Sequence, residues 1–389
     1  MKQEWVYKRL SDVCKKITDG SHNPPKSNEA CDFMMLSSKN IFDDLIHFED
    51  PRYLTQKDFE SENKRTEIQI GDVLLTIVGT IGRVAVVPKD FPRFTLQRSV
   101  AVLKPKRDAL DSRFLMYSLQ NKLEFLTNEA RGVAQKGIYL NQIKNIEIPL
   151  PSLPEQLCIV RLLDEAFASI AKAKANAEQN LKNAKELFES YLQNIFKNKG
   201  EDWQEKNLDQ ISVNLDSKRV PITQNVRKKG SIPYYGASGI VDYVEEYLFD
   251  DDLLLVSEDG ANLLARTYPI AFSIKGKSWV NNHAHILKFK NMASQKFVEY
   301  YLNSIKLDDY VSGMAQPKLN QKMLNSILIP FPTEVQQQAI VKRLNYFLSE
   351  TKKLEAIYQQ KLNDLAELKR SLLQKAFKGE LKTEKALVE

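Results

Sequence analysis

Cysteine and histidine are scarce in this sequence, with three of the former and four of the latter among 389 residues. Cys14, Cys31 and Cys158 never stand as CxxC, so they form neither a disulfide framework nor a zinc knuckle and read as buried or idle thiols of a reducing cytosol. No apolar run approaches the ~18 residues needed to span a bilayer. The opening MKQEWVYKRL also lacks the apolar centre of a signal peptide, which predicts a soluble, cytoplasmic protein. Charge of one sign is not in great excess either: 56 Lys and Arg oppose 50 Asp and Glu, leaving +6. Such a balance is compatible with a polyanionic partner without requiring one. The length is enough for two or three domains with proper cores.

What is abundant is self-similarity. A segment beginning near Ile148 returns at a constant offset of about 181 residues and runs without a gap for about 50 positions. Ile148-Pro149-Leu150-Pro151-Ser152 returns as Ile329-Pro330-Phe331-Pro332-Thr333, Gln156 as Gln337, and Leu163 as Leu344. At the far end Leu192, Gln193, Phe196 and Lys197 return as Leu373, Gln374, Phe377 and Lys378. Upstream, Leu140-Asn-Gln142 is matched by Leu319-Asn-Gln321, and the starts Trp5, Lys8 and Leu10 are matched by Trp203, Lys206 and Leu208. The chain is a tandem duplication of a globular domain followed by a long helix.

Each helix has a defined beginning, since Ser152-x-x-Glu155 and Thr333-x-x-Gln336 have the form of a capping box after a Pro-rich exit. The first carries an apolar seam through Ile159, Leu163, Ile170, Ala173, Ala177 and Leu181, with one discontinuity at Ala177 to Leu181. The second keeps nearly the same phase through Leu344, Phe347, Leu354, Tyr358, Leu362 and Leu365. Matching seams predict that the helices pack on each other. The Ala-rich middle of one suits the bulky middle of the other if they run antiparallel, Ala177 opposite Tyr358 and Ala173 opposite Leu362. At 1.5 Å per residue, about 44 residues make a rod of roughly 65 Å.

Between the helices the sequence reads as mixed α/β (α+β). Strands are expected at Asp72 to Val78, Arg83 to Val87 and Ser99 to Leu103 in the first globular part, and at Leu253 to Ser257 and His283 to Phe289 in the second. Short helices are expected near Phe114 to Asn121 and Phe297 to Ser304. Elsewhere the two parts differ, as though one scaffold had kept its frame and changed its loops. The predicted division is a first globular domain over 1–151, helix over 152–200, a second globular domain over 201–332, and helix with tail over 333–389.

This order of variable domain, Ile-Pro-x-Pro exit, Glu-Gln or Gln-Gln helix start and long helix, used twice, resembles the specificity subunits of type I restriction-modification systems. Thr18-Asp-Gly-Ser-His-Asn-Pro-Pro25 looks like a loop common near the start of their target-recognition domains. Ile232-Pro-Tyr-Tyr-Gly-Ala-Ser-Gly239, Glu258-Asp-Gly260 and Val280-Asn-Asn-His-Ala-His285 look like segments common in the second. The resemblance implies two target-recognition domains, each reading half of a bipartite site in double-stranded DNA. It further implies a pseudo-twofold molecule whose antiparallel helices act as spacer and as dock for two adenine-N6 methyltransferase subunits, with restriction subunits able to join. S-adenosylmethionine, ATP and Mg would then belong to the partners, leaving this chain without cofactor or metal.

Motifs for chemistry in the chain itself are incomplete. Asn23-Pro24-Pro25 resembles the Asn-Pro-Pro-aromatic loop of amino-methyltransferases, but Lys26 replaces the aromatic that stacks on a flipped base. Gly276-Lys277-Ser278 resembles the end of a phosphate-binding loop, yet Ala271 stands where its first glycine belongs. His283 and His285 alternate on an expected strand and would share a face, with no Cys or carboxylate motif to complete a metal site. Glu258-Asp259 reads most simply as a turn. Base reading needs donors and acceptors in loops, with basic groups to fix the domain on phosphates. The candidates are His22, Asn23, Lys26, Arg83, Arg98, Arg131, Gln135 and Lys136 in the first domain. In the second they are Lys218, Arg219, Arg227, Lys228, Tyr234, Tyr235, Ser238, His283, Gln316 and Lys318, with Arg227-Lys228-Lys229 standing out because adjacent cations repel unless they meet water or phosphate. A rival reading remains, a coiled-coil assembly adaptor whose globular domains bind proteins rather than DNA.

Overall fold

The computed structural model describes residues 5–27, 31–130, 137–313 and 316–381. By packing, the chain divides into a unit of residues 1–176 with 361–389 and a unit of residues 177–360. This cut passes through both long helices, Leu153–Lys197 and Glu334–Phe377. Each unit therefore holds one globular part, the start of the helix that follows it, and the end of the other helix.

In the first unit the main sheet has four strands in the order Cys14–Asp19, Val100–Pro105, Val73–Thr76 and Val84–Val86, every neighbour antiparallel. The central strands are buried, apart from Lys104, because helix Ser112–Asn121 covers one face while a second apolar cluster around Leu36, Phe94 and Leu96 covers the other. Asp111 starts that helix, its carboxylate accepting the backbone N–H of Arg113 and Phe114 at 2.9 Å. A smaller sheet joins Arg52–Leu54 antiparallel and Phe94–Leu96 parallel to Phe33–Leu36. The first and last strands of the globular part, Val6–Arg9 and Glu147–Leu150, pair antiparallel, so the chain leaves the domain beside where it entered.

The second unit repeats the plan. Its main sheet runs Ser212–Asn214, Ala284–Phe289, Leu253–Ser257 and Ala271–Ile274, again wholly antiparallel and in the corresponding order. Helix Met292–Ser304 packs on it through Phe297, Val298 and Leu302. Gln204–Asn207 pairs with Leu328–Phe331 as the entry and exit strands do in the first unit. A second sheet orders Gly239–Val244, Lys229–Gly236, Lys277–Val280 and Phe249–Asp250, with one parallel pair. The expected strands and helices are thus present with boundaries moved by a few residues, and the mixed α+β class holds.

The helix starts explain why the same residues recur. Gln156 is fully buried; its amide donates to the carbonyls of Ala109 and Pro151 at 2.9 Å and its oxygen accepts the N–H of Asp111 at 2.9 Å. Gln337, 1% exposed, donates to Pro332 at 2.7 Å and accepts from Ser294 Oγ at 2.7 Å. Gln156 therefore ties its helix to the loop before the helix that covers the main sheet, and Gln337 ties its helix to the first turn of the corresponding one. The second start also shows half of the expected capping box, with the Thr333 N–H donating to the Gln336 side chain at 2.9 Å. In the first unit Glu155 instead accepts the Trp5 indole N–H at 3.1 Å.

Within each unit the two helix segments run antiparallel. In the first, Ile159 and Leu163 share a core with Leu373, Ala376 and Phe377, and Lys369 lies over the Phe167 ring at 4.9 Å. In the second, Leu192 packs with Leu344 and Tyr191 with Phe347, ring centroids 4.4 Å apart. Ala177 is 1% exposed, as its place on the seam requires, while Ile170, Ala173, Leu181, Phe347, Tyr358, Leu362 and Leu365 are half-buried. Leu354 departs from expectation: it is 38% exposed, and Thr351 takes the inward position at 2%. A straight helix drifts relative to a seven-residue repeat, and near the discontinuity the seam has turned past Leu354.

Removing a Gln156 anchor should be costly, because two carbonyls and one N–H lose their partners away from water. Gln156→Ala is expected to destabilise the first unit by about 2–4 kcal/mol. Urea unfolding checks this, and an unchanged midpoint would show that the three bonds contribute little.

Candidate nucleic-acid interface

In the first unit the strand Cys14–Asp19 runs directly into the Thr18–Pro25 loop. A Cβ on Gly20 would lie 2.1 Å from the Leu96 carbonyl oxygen and 2.5 Å from that of Gln97, so only glycine lets this loop lie against the neighbouring strand. Ser21 N–H donates to Leu96 O at 2.7 Å and Arg98 N–H to Ser21 O at 2.8 Å. This lacing brings His22 and Arg98 to one cleft of about 520 Å³, together with Asp19, Arg65, Tyr139 and Asn141. Asp19 is the anchor: only 6% exposed, it meets His22 Nε2 at 2.8 Å and the Arg65 guanidinium, whose Nε also donates to the Asp19 carbonyl at 2.9 Å. The exposed Tyr139 ring and the Arg98 guanidinium stand at the cleft as groups able to meet a base edge or phosphate.

Asn23 and Lys26 are exposed on the same loop. Arg83 is exposed elsewhere, in a cavity of about 580 Å³ with Asp44 and Lys369, so it does not join His22 and Arg98. Arg131, Gln135 and Lys136 lie outside the described residues. Arg65, Tyr139 and Asn141 were not anticipated. Tyr139 precedes the repeated Leu140-Asn-Gln142 and Asn141 is its middle residue, so the repeat marked their place; Arg65 sits on helix Gln56–Thr66, for which the repeat holds no signal.

In the second unit the corresponding edge is charged. Backbone bonds lace three segments together: Glu258 N–H donates to His283 O at 2.9 Å, Leu319 N–H to Glu258 O at 2.8 Å, and Gly260 N–H to Pro317 O at 3.0 Å. Beneath them His285, 1% exposed, sets Nδ1 2.5 Å from Asp216 Oδ2 and Nε2 2.7 Å from the Leu319 carbonyl oxygen. Arg219 donates to Glu258 at 2.6 Å, and Lys318 Nζ lies 3.2 Å from the other Glu258 oxygen. Burial would raise the Asp216 carboxyl, but the His285 hydrogen bond and charge, the Ile286 N–H and Arg219 outweigh it and hold the group below the usual range. Glu258 follows the same pattern: burial pushes it up, and Arg219, His285 and Lys318 bring it below its ordinary value.

Asp216, Glu258 and His285 offer ligand atoms within 4.8 Å of one another, a spacing a metal ion could use. The donor set fits poorly, because Arg219 and Lys318 already neutralise Glu258 and an added cation would face both. The two histidines do not share a face as expected. His283 precedes the strand, half-exposed, with Nδ1 2.8 Å and 3.0 Å from the two Asp259 oxygens, whereas His285 turns inward.

Three expected contact residues are engaged inside the domain. Tyr234 is 1% exposed, with the Arg227 guanidinium 4.3 Å above its ring and its hydroxyl near Ile222. Arg227 pairs with Asp242 at 3.0 Å, so the adjacent-cation run resolves by an internal ion pair that leaves Lys228 exposed. Arg219 is committed to Glu258 and Asp216. Tyr235 is half-buried near Phe272, while Lys218, Ser238, His283, Gln316 and Lys318 remain exposed.

Depressed carboxylates contribute stability at neutral pH that is lost as pH falls through their folded values, below the ordinary range near 4. Between pH 7 and 3 the thermal midpoint of the second unit should therefore fall more steeply in the wild type than in Asp216→Asn, which starts lower and has less to lose. Parallel curves would remove Asp216 from the acid response.

The profile described as the type I restriction modification DNA specificity domain matches residues 2–182 and again 200–370. A putative type I restriction enzyme specificity subunit of Haemophilus influenzae is 33% identical over 156 residues, 40% of this chain and 40% of that protein. The putative MjaX specificity subunit of Methanocaldococcus jannaschii is 25% identical over 386 residues, covering 88% of this chain and 86% of its own. Among solved structures, a chain from a study of type I restriction-modification complex assembly covers 97% of this chain and 98% of its own, with TM-score 0.76 at 17% identity. The HsdS subunit of Thermoanaerobacter tengcongensis covers 97% of each chain, with TM-score 0.59 at 18% identity. With both halves of the duplication matched, the chain belongs to the family of type I restriction-modification DNA specificity proteins.

Proposed function

We propose that this chain is the non-catalytic sequence-specificity subunit of a type I restriction-modification complex, in which each globular domain reads one half of a bipartite DNA target. The observation that carries this reading is a duplicated frame with unlike edges. Both units build the same four-stranded sheet in the same order. At one edge of that frame the first presents His22 and Arg98 over the buried Asp19, and the second presents Asp259, His283 and Lys318. One scaffold reading two different sequences needs this combination, since phosphate contacts position a domain while base-edge contacts specify.

In this reading the paired helices set the distance between the half-sites and dock two adenine-N6 methyltransferase subunits, through which restriction subunits join. S-adenosylmethionine, ATP and Mg act on those partners. No helix among the described residues is long and apolar enough to cross a membrane.

Co-expression with the candidate methyltransferase, followed by single-molecule mapping of N6-methyladenine, should yield a split motif with one methylated adenine in each half. A stable complex that methylates nothing would favour the adaptor reading. Inserting four residues at matched points of both helices adds about 6 Å, roughly two base-pair steps of 3.4 Å. The spacer in the methylated motif should lengthen accordingly while both half-sites stay the same; an unchanged spacer would refute the role of the helices as a ruler.

A further inference from the structure

The two units expose different chemistry at the same backbone positions. In the first, Ile138 N–H donates to Ile77 O at 2.9 Å and Val78 bridges Gly137. In the second, Leu319 N–H donates to Glu258 O at 2.8 Å and Asp259 bridges Lys318. Ile77, Val78 and Gly137 thus correspond to Glu258, Asp259 and Lys318, and Ile138 to Leu319, so the backbone register lies two residues from the sequence match of Leu140-Asn-Gln142 with Leu319-Asn-Gln321. At these three positions the first unit carries apolar residues and the second ionic ones, on the same backbone lacing.

Resting on the specificity reading above, we infer that Asp259, His283 and Lys318 form the base-reading set of the second domain, with His285 as the buried residue that positions it. Recognition of a base edge needs a polar atom whose direction is fixed before binding. The Asp259 carboxylate meets His283 Nδ1 with both oxygens, at 2.8 Å and 3.0 Å, which turns the other ring nitrogen away from this pair. His283 keeps half its side chain exposed, and its backbone carbonyl is held by the Glu258 N–H at 2.9 Å. Lys318 is likewise 54% exposed, with its backbone fixed by the bridge to Asp259 and its ammonium drawn to Glu258 at 3.2 Å.

The platform cannot slide, because His285 joins two of its segments from below. Its two ring nitrogens bridge Asp216, in the turn just after the first sheet strand, and the carbonyl of Leu319, next to Lys318. His285 does not reach the surface, so it acts through Leu319. The ligand is the major-groove edge of one or two base pairs in the half-site of the second domain, where an imidazole nitrogen and an ammonium can meet purine N7 and O6 atoms or an exocyclic amine.

The test uses the full chain with its methyltransferase partner and maps N6-methyladenine on host DNA. His283→Ala and Asp259→Asn are expected to reduce discrimination at one or two positions of a single half-site by roughly five- to one-hundred-fold. The other half-site and the spacer should stay unchanged. His285→Gln should relax the same positions, a change that general destabilisation would not produce; complex assembly followed by size-exclusion chromatography confirms that each variant is folded. If His283→Ala and Asp259→Asn methylate the wild-type motif with undiminished discrimination, or lose methylation evenly at every site with a lower salt dependence, these residues contact phosphate or nothing and the inference fails. The wild-type arm decides the underlying reading separately, since absence of any bipartite motif there overturns the specificity role itself.

Discussion

Burial of the apolar seam along two long helices is the constraint on which each unit depends. A helix of 45 residues with an apolar stripe is not stable in water by propensity alone; tertiary packing must cover the stripe. In the first unit the cover comes from three directions: the sheet helix through Phe114 and Leu115, the start of one long helix through Ile159 and Leu163, and the end of the other through Leu373 and Phe377. Phe114 and Phe377 meet with centroids 5.2 Å apart, so the globular core and the helix pair form one apolar body. In the second unit Tyr300, Leu192 and Leu344 do the same.

That shared core makes fixed attachment necessary, and the buried glutamines supply it. A purely apolar helix face can slide by a turn at small cost, whereas Gln156 must find Ala109, Pro151 and Asp111 together or leave them unsatisfied. The entry and exit strands add a second fixture, because Val6–Arg9 and Glu147–Leu150 clamp the two ends of the domain at the helix start. A duplicated molecule needs both fixtures twice, and Gln337 with Gln204–Asn207 and Leu328–Phe331 provides the second set.

Features set by periodicity were legible in the sequence, and features set by loop geometry were not. The duplication, the helix starts, the seam and the central strands all leave a repeating mark, and Leu253–Ser257 coincides with its expected span. Leu354 was misplaced because a seven-residue template extrapolates past the point where the seam has turned. At the site, Arg227 looked exposed because its neighbours are cations, yet its partner Asp242 is supplied across a strand pair, Tyr234 with Asp242, that no local pattern announces. Arg65 escaped notice for the same reason: its carboxylate partner, Asp19, is reached only after the helix folds back against the sheet.

The separation of frame from edge has an energetic basis. In both units the backbone lacing at this edge uses N–H and C=O groups, which are indifferent to the side chains above them. Ile77 and Val78 can therefore become Glu258 and Asp259 without changing the fold, provided that any charge brought in finds a partner. In the second unit the partners are Arg219, Lys318 and His283, all contributed by segments of the same edge. A new carboxylate there demands new cations nearby, so the charged residues of this edge must change as a set. That requirement lets one sheet carry unlike edge chemistry and makes an isolated charge substitution at this edge harmful where a coordinated one is tolerated.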